Sequence, residues 1–224
     1  MATPARVILE ELAHVQRLRD ERAVDADLAE RVNLLKAYQS RRFETTYADL
    51  LASDRYRAAA RFFLQELYGP QEFVSRDAQF PRVAPKVSRL FPAEITETVA
   101  ALARLHALSE SLDSAMARQL VLPLTQSSYG HAWLAVGRDA DRRQQIELTM
   151  LVGTALDRYT RSPVLRGALR LMREPARAAG LRELQRFLES GFDTFAAMNG
   201  AQHFLDTVRD RERAFIQTVR SGTP

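Results

Sequence analysis

No cysteine occurs in the 224 residues, which excludes disulfides, thiolate nucleophiles, iron–sulfur ligation and Cys-based zinc sites. Lysine is almost missing too: Lys36 and Lys86 are the only two. The basic side of the charge balance is therefore arginine. There is no stretch of the roughly 20 apolar residues a membrane span needs, and Glu10 and Glu11 interrupt the N-terminus where a signal peptide needs an apolar run. The expectation is a soluble, cytoplasmic protein with no membrane partner. The common phosphate-binding loops, the G-x-S-x-G nucleophile elbow and the H-E-x-x-H zinc motif are all lacking. Strict apolar/polar alternation and β-branched runs, the signs of strands, are missing as well.

Charge of one sign is also in short supply. Thirty-two basic residues face 28 acidic ones, a formal excess of only +4 despite a sequence pI near 9.7. The two signs are interleaved, as in RDERAVDADLAERV, so no helix offers the one-sided basic face that DNA contact requires. Nucleic acid is not expected as a partner.

What remains is a chain with 46% hydrophobic residues, almost all spaced with a helical period. The expected fold is all-α, a bundle of about eight to ten helices forming one domain over residues 1–224. The first helix is expected from Pro4 to about Glu21, and a second, capped by Asp25, carries Leu28, Val32, Leu35 and Tyr38. Ser40 to Arg42 reads as a polar break before a short helix with Tyr47, Leu50 and Leu51. Asp54 is the expected cap of a helix through Phe62 and Phe63, ended by Gly69-Pro70. Prolines 81, 85 and 92 suggest an irregular hinge at about 69–92. Pro92 opens a long helix to about Val121, the stretch PLTQSSYGHAW reads as a loop or helix start, and a further helix runs from Asp139 to Thr160. Another opens at Pro163 and is broken by Gly180. The last two are expected to run to about Ser190 and from Phe192 to Val219.

The stretch FFLQELYGPQEFVSRD, with its FFL-x-x-LYGP-x-x-F-x-x-RD pattern over about residues 55 to 92, resembles a family of uncharacterised bacterial helical proteins. RLHALSESLD downstream is similar more loosely. The resemblance implies a helical fold and no established activity, and it transfers no catalytic residues.

Candidate functional residues come from five places. In the FFLQELYGP corner, Tyr68 can close over the turn, and Arg76 either pairs Glu66 or Glu72 or contacts an anion. On the long helix His106, Glu110 and Asp113 share a side next to the apolar seam, where they are a metal or acid–base constellation or an ordinary surface set. Tyr129, His131 and the lone tryptophan, Trp133, can line a small-molecule pocket or anchor their segment. His203 lies beside aromatics and the small residues Ala196, Ala197, Gly200 and Ala201, which suit either close core packing or a homo-oligomer contact. A haem-ligand role for His203 is the less ordinary alternative. Glu11 and His14 have the E-x-x-H spacing of di-iron bundles, but no second copy exists. The function expected is a binding or interaction module for an unknown ligand, self-associating. The alternative is a helical enzyme or redox protein holding a metal or organic cofactor near His106 and Glu110.

Overall fold

Helices with short connections account for nearly all of the described chain. The computed structural model describes residues 2–66, 79 and 92–221, and no strand occurs among them. The proposed hinge at 69–92, apart from Gln79 and Pro92, lies outside these residues, as do Tyr68 and Arg76.

The chain opens with α1 (Pro4–Val24) and α2 (Ala26–Thr46), hinged at Asp25. Thr3 caps the first helix with proline at its first turn, and the Asp25 carboxylate accepts from Leu28 N at 3.0 Å to start the second. No break occurs at Ser40–Arg42: α2 continues to Thr46, because its apolar face carries on through the fully buried Phe43. The short α3 (Ala48–Ala52) then leads to α4 (Arg57–Glu66). Ser53, not Asp54, offers its side chain to the start of that turn, accepting from Tyr56 N at 3.4 Å, while Asp54 pairs with Arg57.

The longest helix, α5 (Ala93–Gln119), is the axis of the molecule and packs against α1, α2, α6 (Gln126–Val136) and α7 (Asp139–Tyr159). Its buried face is rich in alanine: Ala100, Ala101, Ala103, Ala107 and Ala117. Small side chains let neighbouring backbones approach closely, so Ile8 and Leu12 of α1 settle on Ala100 and Ala103, and Val32 of α2 on Ala117. Contacts between α1 and α5 advance together along both chains, so the two are parallel; α2 returns antiparallel.

The other half of the core is aromatic. Helices α8 (Pro163–Leu171), α9 (Arg173–Ala178), α10 (Arg182–Ala197) and α11 (Gln202–Arg220) complete the chain. Phe43, Tyr47, Phe62, Phe63, Phe195 and Phe204 form one cluster joining α2, α4, α10 and α11. The break between α10 and α11 comes at Asn199 (φ 50°) and Gly200 (φ 107°), not near Gly191. Gly191 lies inside α10, and a Cβ there would come 3.2 Å from the Phe62 ring. It is a contact glycine.

The small residues around His203 have an intramolecular role. Arg55 donates to the carbonyls of Met198, Asn199 and Gly200, and the buried Ala201 N–H donates to Asp157 Oδ1 at 2.9 Å. That patch is a clamped turn within the fold, and His203, exposed, tilts over Tyr56 at 5.6 Å between ring centroids.

Candidate functional site

The three polar residues on α5 separate in role once folded. Glu110 is buried, and each of its oxygens receives a cation: Arg22 Nη2 from α1 at 2.8 Å and Lys36 Nζ from α2 at 2.6 Å. Burial alone would push this carboxyl up, but Lys36 foremost, then Arg22, outweigh it and hold it at about 2. Arg22 also donates to the buried Ser114 hydroxyl at 3.2 Å. Glu110 thus joins three helices through charge. His106 stands half-buried nearby and adds to the positive field that holds Glu110 ionised.

Asp113, one turn on, meets the same helix α2 without a cation of its own among the described residues. It accepts from Gln39 Nε2 at 3.0 Å, and burial, reinforced by Glu110, raises its pKa against the opposing pull of Lys36 and Gln39. Gln39 and Asp113 in turn adjoin the buried Tyr129, whose phenol is pushed up chiefly by burial. A chain of polar side chains therefore runs from the α1–α5 seam to α6.

The stretch PLTQSSYGHAW, which reads as a loop or helix start, is a connection as far as Thr125 and a helix from Gln126 onward. Thr125 and Ser128 cap it reciprocally: Ser128 N donates to Thr125 Oγ1 at 3.2 Å, and Thr125 N donates to Ser128 Oγ at 2.8 Å. The usual third residue after such a cap is glutamate or glutamine, and a serine there hides the signal. Once formed, α6 turns Tyr129 and Trp133 inward and leaves His131 exposed.

Tyr129 and Trp133 belong to an aromatic layer. Tyr38 of α2 stacks on Tyr129 with ring centroids 4.8 Å apart, Trp133 meets the edge of Phe215 at 5.4 Å, and Tyr129 lies 6.2 Å from Phe215. Guanidinium groups cover the layer at both ends. Arg42 lies 4.3 Å over Phe215 and pairs with Glu212, while Arg142 lies 3.8 Å over Trp133. Arg142 is only 6% exposed, its Nη2 has no hydrogen-bond partner among the described residues, and burial lowers its pKa.

On the solvent side of this layer lies an open groove of about 520 Å³ between α2, α6 and the end of α11. Tyr38, Tyr129 and Phe215 supply its aromatic surface; Arg41, Arg42 and His131 its basic groups; Thr45, Ser127 and Thr218 its hydroxyls. Gly130 forms part of its wall. Of the sequence candidates, the structure brings Tyr129 and His131 to this groove and Trp133 directly behind it. His106, Glu110 and Asp113 sit deeper, on the polar chain that ends at Tyr129, and His203 lies apart. Among the described residues no group of three or more His, Cys, Asp or Glu is placed to hold a metal ion. Nor is any described helix long and apolar enough to cross a membrane.

Tyr38, Arg41 and Gly130 did not stand out in sequence as site residues. The available signal was Gly130 itself, a glycine inside an otherwise apolar helix turn, legible only once SSYGHAW is recognised as helical.

A helical bundle with a charge-linked axis and an aromatic groove is the class these observations define. Residues 18–224 match the family described as a domain of unknown function (DUF8198), and the chain belongs to that family. Searches of curated proteins and of solved structures return no match.

Proposed function

We propose that the protein is a binding module that takes a small molecule in the groove between α2, α6 and α11. The observation that carries this is Gly130. It sits mid-helix in α6, where glycine is about 1 kcal/mol less favourable than alanine. A packing contact would explain it, yet a Cβ at Gly130 would meet no atom of the described residues within 4 Å; the same holds for the helical Gly167, but of the two only Gly130 lines the groove. The position is left bare where it borders the groove, so the missing side chain keeps volume open. A volume of about 520 Å³ falls in the range of small-molecule sites, and aromatic surface with a few polar groups is their usual lining.

The competing reading, a metal or organic cofactor near His106 and Glu110, has weaker support. Both Glu110 oxygens are engaged by Arg22 and Lys36, so a metal there would have to displace a buried cation.

Ligand-observed NMR with a mixed set of neutral, anionic and cationic aromatic fragments tests the groove. Binders are expected on the wild-type protein and lost on Gly130→Leu, which fills the space while its melting temperature stays equal or rises. Binders retained by Gly130→Leu would place the site elsewhere.

A further inference from the structure

The groove's charge goes further than its shape. In a chain with 28 acidic residues, none of the described residues lining this groove is acidic, while two arginines and a histidine do line it. Of these, Arg42 is balanced by Glu212 at 2.9 Å. Arg41 differs from Arg42: its guanidinium is exposed and makes no ion pair with any described residue, and it is placed on the groove lining rather than elsewhere on the surface. His131, on the facing helix, is likewise exposed at the rim with no side-chain hydrogen bond to a described residue. Behind the aromatic layer, the buried Arg142 adds a cation whose Nη2 has no hydrogen-bond partner among the described residues. The field reaching the groove is positive from the rim and from within.

The apolar half of the lining is equally specific. Tyr38 and Tyr129 are stacked on each other, their planes 25° apart with centroids at 4.8 Å, so they turn their outer edges to the groove, and Phe215 adjoins Tyr129 at 6.2 Å. Ring edges in that arrangement suit a flat aromatic group, which edge-to-face contacts favour. A forked guanidinium such as Arg41 suits a planar or tetrahedral oxyanion, which it can hold through two parallel N–H donors. Ser127 and Thr45 hydroxyls are available at the same opening.

Resting on the groove reading above, we infer that the ligand is an aromatic oxyanion: a flat ring lying against Tyr38, Tyr129 and Phe215, with a carboxylate or phosphate group met by Arg41 and His131. The ring supplies buried apolar area, and the anionic group supplies orientation and selectivity.

The test is isothermal titration calorimetry with three probes that share one ring: 2-naphthoate, 2-naphthyl phosphate and the neutral 2-naphthamide. Each is measured on the wild-type protein, on an Arg41→Ala/His131→Ala double variant and on Gly130→Leu. The expected result is that at least one oxyanion binds on the order of tenfold or more tightly than the amide. The double variant erases that preference while keeping amide binding, and Gly130→Leu loses all three. Which oxyanion binds more tightly identifies the group. Equal affinity for amide and oxyanions, or an oxyanion preference surviving in the double variant, overturns the inference and leaves the groove reading standing. Oxyanion binding that survives in Gly130→Leu, or no binding of any probe to the wild-type protein, overturns both.

Discussion

Tyr38 and Tyr129 lie face to face at 4.8 Å, joining the middle of α2 to the buried side of α6. The stack does two jobs: it closes the core cluster of Leu35, Met116 and Trp133, and its outer edge is surface of the groove. Tyr38→Phe keeps the ring and is expected to leave stability within about 0.5 kcal/mol of wild type. Tyr38→Ala removes the stack and is expected to cost roughly 0.5–1.5 kcal/mol beyond the lost apolar area, and to weaken ligand binding. Urea denaturation of the two variants measures the first effect, and calorimetric titration the second.

Glu110 is the charge that holds α1 and α2 to α5. Its pKa of about 2 lies below the ordinary 4.5, so its contribution is fully present above 4.5 and is lost as pH falls from there toward 2. The size of that contribution is on the order of 3 kcal/mol. Glu110→Gln leaves Arg22 and Lys36 buried without their anion, and the expected loss at neutral pH is about 3–5 kcal/mol. Chemical denaturation across the acid range checks the sign: the gap between wild type and Glu110→Gln should narrow as pH falls through that window. A gap that widened would contradict it.

Asp113, one turn further along α5, makes the opposite prediction. Burial raises its pKa, so its neutral form suits the fold, and its contribution is lost as pH rises through the folded value. Asp113→Asn, which is isosteric and uncharged, is expected to be as stable as wild type or more so at neutral pH. The advantage should vanish in acid, where Asp113 is protonated in both states. A thermal-melt series for the pair, run beside Glu110→Gln, reads both trends with one instrument.

At the turn between α10 and α11, Gly200 adopts φ 107° and its carbonyl, with those of Met198 and Asn199, is held by Arg55. Gly200→Ala forces a side chain into a strained backbone region and is expected to destabilise by about 1–3 kcal/mol. Arg55→Lys is expected to rescue little of the Arg55→Ala loss, because a single ammonium cannot reproduce the planar fork that reaches three carbonyls. Melting temperatures of the three variants decide it.

Which parts of this were legible in sequence follows from what each feature depends on. Helices α1, α2, α5 and α7 announce themselves through local periodicity and caps such as Asp25 and Pro92. The continuation of α2 past Ser40 did not, and SSYGHAW was legible only as a loop or helix start. In each case tertiary burial, of Phe43 and of Tyr129 with Trp133, overrides polar or turn-like residues. Gly191 and Gly200 show the limit clearly. One glycine lies close against a ring from α4 and the other is set by backbone conformation, and nothing in the local sequence distinguishes them. Glu110 was visible as a helix-face carboxylate, but its partners Arg22 and Lys36 stand 88 and 74 residues away. That separation is why a salt-linked structural anchor and a ligand site look alike before folding. Tyr129 and His131 were legible as candidates, whereas the contribution of Tyr38 and Arg41 from α2 depends on how two distant helices meet.

The most direct test of the account is amide chemical-shift mapping of the isotope-labelled protein titrated with 2-naphthoate. The account predicts saturable shifts concentrated on the groove-facing parts of α2, α6 and the end of α11, around Arg41, Gly130 and Phe215. Shifts centred instead on His106 and Glu110, or scattered and non-saturating, would contradict it.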